Sequence, residues 1–221
     1  MYRYLSAAAL GSLFAAPAFA TIISFTDCTI TCDVSTDPVS EFGGLIEDNP
    51  DDGRFVAWDE VQNFTLTEDL RVDRVFDETA DFVTDAGGGD FLIKAGTIVS
   101  SHYVQYDPTS GGTGNRNQAT ITLDSEVFAF IFSDGNLENS DGALGLPGLD
   151  YNDFTLRGLE NGDTTTFDGN SSVLDWSAST PGDWTRLITA FSPTAVVPVP
   201  ASLPLLAAGI GGLALLRRRR G

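Results

Sequence analysis

Hydrophobic and polar positions alternate in short runs along most of this chain, and no stretch sustains a helical period. The cleanest alternation sets Ala119, Ile121 and Leu123 against Thr120, Thr122 and Asp124, the period-two signature of a half-buried strand. Residues 126–132 are apolar on both faces, as expected of a central strand covered from two sides. A long β-branched and aromatic run over 97–106 is stopped by Asp107-Pro108. Shorter strand candidates lie at 21–25, 55–58, 61–67, 70–76, 91–93, 154–159, 164–167, 173–176 and 184–191. Turn signals separate them: Gly87-Gly88-Gly89, the glycine-rich 109–117, and Pro181-Gly182-Asp183. Residues 33–53 read as loop, and 133–147 as a long loop or a short helical turn. About ten or eleven short strands, with turns roughly every 8–12 residues, predict an all-β fold, an antiparallel β-sandwich of jelly-roll type.

Both ends of the chain break this pattern. Arg3, an apolar stretch over 5–14 and the small-x-small Ala18-Phe19-Ala20 predict a secretory signal peptide over 1–20, cleaved after Ala20. The domain then spans 21–192, followed by a Pro-containing stalk over 193–201 and an apolar run with its basic end over 202–221. That run, 202–216, is short against the ~20 residues of a membrane-crossing helix, and Pro198, Pro200 and Pro204 weaken its approach. Arg217, Arg218, Arg219 and Arg220 are expected to stay cytoplasmic by the positive-inside rule, placing the body outside the cytoplasm.

The order of Val197, Pro198, Val199, Pro200 and Ala201, a marginal membrane helix and a terminal arginine cluster resembles the PEP-CTERM sorting signals of exosortase substrates, in the variant called VPLPA-CTERM. Val199 departs from the usual leucine. The resemblance covers about the last 25 residues. It implies an exosortase-type membrane transpeptidase as partner, cutting at or near the motif, and an inner-membrane intermediate whose body ends at the surface or outside a Gram-negative cell. Three internal segments, 101–108, 157–160 and 181–190, also resemble segments of other surface proteins with such tags, a likeness that implies no chemistry.

Charge narrows the function classes. With Arg3 and the terminal arginines set aside, 7 basic residues face 31 acidic ones, a body charge of −24. Such a surface repels nucleic acid and anionic lipid and attracts divalent cations. Fifteen Phe, three Trp and five Tyr supply the burial that disordered acidic segments lack. Cys28 and Cys32 are the two cysteines, and in an oxidising compartment a disulfide between them is expected, closing a turn.

Candidate chemistry is sparse. Asp48, Asp51, Asp52 and Asp59 superficially fit an EF-hand frame, but Pro50 takes a ligand position and no helices flank it. Acidic loops around the central strand read either as a solvated rim or as a calcium site, for which Asp150, Asp153 and Glu160 are the candidate ligands. His102 has no partner at nucleophile or metal spacing, and no catalytic set is recognisable. The expectation is therefore a non-enzymatic structural or adhesive surface module. The alternatives are a carbohydrate-binding module acting on exopolysaccharide, with Trp58, Trp176, Trp184, Tyr103 and Tyr106 as sugar-stacking platforms, and a secreted hydrolase.

Overall fold

A computed structural model describes residues 21–47, 52–109, 116–153, 155–179 and 181–193. The expected signal peptide, the motif Val197 to Ala201, the apolar run and Arg217 to Arg220 lie outside the described residues. None of the helices among the described residues is long and apolar enough to cross a membrane.

The described chain is mostly strand, in antiparallel sheets. Its elements are β1 (Ile22–Thr26), β2 (Cys32–Val34), α1 (Pro38–Glu41), β3 (Phe55–Asp59), β4 (Phe64–Thr65), β5 (Leu70–Val72), β6 (Arg74–Val75), β7 (Val83–Gly87), β8 (Asp90–Ile93) and β9 (Ile98–Tyr106). There follow β10 (Asn117–Leu123), β11 (Val127–Ile131), α2 (Asp134–Leu144), β12 (Thr164–Thr165), β13 (Ser171–Trp176) and β14 (Asp183–Thr189). The largest sheet runs β2-β3-β9-β14-β11-β6, with β4 also on β9; a second runs β1-β10-β13-β12, and a third β5-β8-β7. All pairs are antiparallel except β2 with β3.

Period-two alternation explains how the sheets stack. In β3, Phe55 and Ala57 face one core, while Val56 and Trp58 face another. The first core joins the large sheet to the β1-β10-β13-β12 sheet through Val104, Phe130, Leu187, Ile121, Leu174 and Trp176. The second lies on the opposite face, where Tyr103, Trp184 and Ile188 meet Leu70, Val72 and Ile93 of the three-stranded sheet and Leu137 and Leu144 of α2. The large sheet is thus covered on both sides, and every residue of β14 is buried. Within the expected 126–132 segment, Val127–Ile131 form a strand apolar on both faces, but the centre of the sheet is the β9–β14 pair, whose buried polar residues hide it from a hydrophobic pattern.

Several segments differ from the sequence expectation: the 33–53 loop holds part of β2 and α1, β7 forms where no strand is expected, and the 70–76 strand is divided into β5 and β6 of different sheets. Residues 134–144 form a three-turn helix despite Gly135, Asn136, Asn139 and Gly142, which disfavour one. Asp73 braces its approach: the carboxylate accepts from the Phe132 and Ser133 amides at 2.6 and 3.0 Å and from Asn136 Nδ2 at 2.7 Å, tying the entry and first turn of the helix to the sheet. The expected strand at 154–159 is not formed. Leu156 and Gly158 take φ of 69° and 155°, and a Cβ on Gly158 would lie 2.3 Å from the Phe132 carbonyl oxygen. This irregular path delivers Arg157 into the interior instead. Cys28 and Cys32 are disulfide-bonded, with their Cα atoms 6.3 Å apart.

Candidate metal centre

β14 begins at a crowded point. Gly182 has φ of 111°, and a Cβ there would come within 2.9 Å of Asp107 Cβ, Trp184 Cη2 and the Tyr106 carbonyl oxygen. Only glycine fits both the space and the left-handed backbone. This close approach seats Asp183 opposite Tyr106 in the β9–β14 register. Asp183 is 0% exposed, and neither of its carboxylate oxygens has a hydrogen-bond partner among the described residues. Two buried, unsatisfied carboxylate oxygens are costly, because a charge taken from water needs a proton, a donor or a cation in exchange.

What faces Asp183 is more negative charge. Glu160, Asp163 and Asp183 each offer one oxygen, and the three lie within 4.8 Å of one another. Asp163 is oriented by two backbone donors, the Ser177 amide to Oδ1 at 2.7 Å and the Glu160 amide to Oδ2 at 3.0 Å. The Asp163 amide donates back to the Glu160 carbonyl at 3.2 Å, so both acids are presented by one tight turn. The Ser179 hydroxyl lies 3.5 Å from Glu160 Oε1. Burial first, then the charges of Asp163, Glu160 and Asp107, push the Asp183 carboxyl up to about 8. The cluster grades from exposed Glu160 through half-buried Asp163 to buried Asp183, which leaves an entry from solvent. An all-carboxylate oxygen set suits a hard cation such as Ca²⁺ and offers nothing to a metal that prefers nitrogen or sulfur.

Of the three candidate calcium ligands, only Glu160 belongs to this cluster. Asp150 is tied into a bridge with Leu45, and its Oδ1 accepts from the Asn152 amide at 3.0 Å. Asp153 lines a separate recess with Asp134, Glu138 and Arg157. Asn152 and Leu156 take left-handed backbone, with φ of 54° and 69°. Asp163 and Asp183 were missed because one lies inside a turn and the other reads as the end of a turn.

Other polar groups are committed to structure. Arg186 on β14 is fully buried and clasps Glu60 through Nε–Oε2 at 2.6 Å and Nη2–Oε1 at 2.8 Å, with Asp141 Oδ1 at 3.0 Å. Burial opposes its charge, but Glu60 and Asp141 more than offset this and hold it above its ordinary range. Arg157 grips Asp141 at 2.5 and 2.8 Å and donates to the Tyr103 hydroxyl at 2.7 Å. This network fastens α2 to the sheet. His102 is buried between Asp59 and Thr189, its Nδ1 2.6 Å from Asp59 Oδ1 and its Nε2 3.1 Å from Thr189 Oγ1.

The aromatics that the carbohydrate-binding alternative would use as stacking platforms are core residues. Trp58, Trp176, Trp184 and Tyr103 are 0% exposed and Tyr106 is 2% exposed. The three indoles donate inward, to Tyr151, Thr165 and Gln105. Their flat faces serve packing, because a two-sided sheet needs bulk on both surfaces. Comparison with family models, curated proteins and solved structures found no match to the chain.

Proposed function

We propose that this chain is an exported, non-enzymatic surface protein whose β domain is a calcium-stabilised structural or adhesive module. The observation that carries the reading is Asp183, a buried carboxylate with two unpartnered oxygens facing Glu160 and Asp163. A divalent cation would satisfy all three acids at once, with backbone carbonyls or water completing the roughly six to eight oxygens that Ca²⁺ takes. Extracellular fluids supply that cation. The jelly-roll-like form of the sandwich belongs to the same reading, supported by two sheets that share one core.

Export and sorting rest on the ends of the sequence. The signal peptide brings the body across the membrane, the 202–216 run holds it, and an exosortase-type transpeptidase processes it at Val197 to Ala201. The destination is the cell surface or the surrounding polysaccharide, and the charge of the body makes nucleic acid an unsuitable partner.

Titration of the exported protein with CaCl₂ after EDTA treatment tests the cation site. Saturable binding of one ion and a rise in the thermal midpoint are expected, and both should be lost in Asp183→Asn. No heat of binding and no stabilisation at millimolar Ca²⁺ would overturn the site. Replacing Pro198 and Pro200 with Ala tests sorting: the mature mass and cell fractionation should change, and an unchanged product removes the transpeptidase.

A further inference from the structure

Thr21, the first residue after the expected leader, is fully buried. Its backbone nitrogen donates to Asp59 Oδ2, and its Oγ1 lies 3.0 Å from Asp59 Oδ1, 3.1 Å from Gln62 Oε1 and 3.2 Å from His102 Nδ1. Its carbonyl accepts from the Asp124 amide at 3.0 Å, and the next residue, Ile22, pairs with Leu123. The residue at which the leader ends is therefore docked against β3, β9 and the end of β10. Asp59 is 13% exposed in its side chain, and its ion-pair partner among the described residues is His102.

We propose that leader removal between Ala20 and Thr21 creates an α-ammonium that docks against Asp59, so that maturation completes a buried ion pair. In the precursor the Thr21 nitrogen is an uncharged amide with one N–H. Hydrolysis adds water across that bond: the Ala20 acyl carbon takes the water oxygen and leaves as a carboxylate, and the Thr21 nitrogen takes both water protons and becomes –NH3⁺. The resulting amine, with an ordinary value near ~8, carries a full charge at neutral pH and three donors. Asp59 Oδ2 already receives that nitrogen, and a charge-assisted bond there is stronger than the amide contact it replaces. The mature terminus thereby ties the start of β1 to the end of β3. The inference rests on the export part of the reading above and is independent of the cation site.

The chain contains a single lysine, Lys94, which is exposed, so the mature protein has two amines. The full chain, recovered after export from a Gram-negative host, is treated with an amine-reactive ester and mapped by mass spectrometry. Thr21 is expected as the first residue, and its amine should react at least about ten times more slowly than Lys94 until the protein is unfolded. A different first residue overturns the processing step. Thr21 as first residue but labelled as fast as Lys94 overturns the docking while leaving export and calcium binding untouched. Asp59→Asn should expose the Thr21 amine and leave the Lys94 rate unchanged. A variant with one extra alanine before Thr21 reads the same contact without touching the interior: its displaced amine should label like Lys94, and its thermal midpoint should fall by roughly 5–10 °C. An unchanged midpoint and a protected amine in that variant would count against the pair.

Discussion

Asp183 concentrates the chemistry of the molecule in one side chain. An ordinary unfolded aspartate titrates near ~3.9, whereas burial and the neighbouring Asp163, Glu160 and Asp107 push this one up to about 8. Between those values the folded chain holds a proton that the unfolded chain has released. Stability must therefore fall as pH rises through roughly 4 to 8, by a few kcal/mol, and then level off. In EDTA the thermal midpoint is expected to drop between pH 5 and pH 8, and Ca²⁺ should restore it at pH 8. Asp183→Asn should flatten both responses and melt above the parent protein in EDTA at pH 8. A midpoint that ignores pH in EDTA would contradict the account. Sequence could not single this residue out, because Pro181-Gly182-Asp183 has the composition of an exposed turn. Its burial comes from Gly182 pressing on Tyr106 and Asp107, seventy-odd positions earlier. Glu160 was legible as one acid of an oxygen-rich loop, but which loops converge depends on strand pairing that no local pattern encodes.

At the scale of elements, α2 and β14 depend on each other. The helix is poor by composition, and it forms because Asp73 braces its entry while Arg186 donates to the Leu137 carbonyl, at 3.3 Å, and to Ser140 Oγ. Glu60→Gln leaves a buried guanidinium with half its countercharge and is expected to cost about 3–5 kcal/mol in urea unfolding. Combining it with Arg186→Met should cost less than the two single changes together, by about 2 kcal/mol or more. Simple additivity would mean that the pair is not coupled. Strands with clean alternation, such as β10, were legible because one face meets a core and the other is more open. The segment 154–159 misled because Phe154 and Leu156 imitate that alternation beside an arginine destined for an interior partner.

At the scale of the molecule, the all-β class was readable from many short periodic segments and frequent turns. The covering of the large sheet on both faces was not, since it depends on which strands pair. The largest surprise is where the middle of the sheet lies. β9 and β14 bury Ser100, Ser101, His102, Gln105, Thr185, Arg186 and Thr189, all of which a hydrophobicity pattern assigns to the outside. Most of those groups are accommodated by partners on other strands, on α2 and on the Glu60–Asn63 connection, a condition that only the assembled fold can meet. A chain ending at residue 182 should lack cooperative unfolding and bind a hydrophobic dye, since both β9 and β11 lose their neighbour. A truncated chain with a sharp melting transition would show that the sheet closes without β14.

The place of β14 in the sheet also sets a timetable. It is the last strand of the domain to be synthesised, yet it occupies the gap between β9 and β11, both made long before it. Until residue 189 has left the ribosome, β9 and β11 lack the strand that pairs with both of them. For a chain threaded across a membrane from its N-terminus, this delay is an asset: more than 160 residues of the domain can pass through a narrow channel before a stable fold competes with transport. Under the export reading proposed above, folding is expected to begin on the far side, once the closing strand arrives.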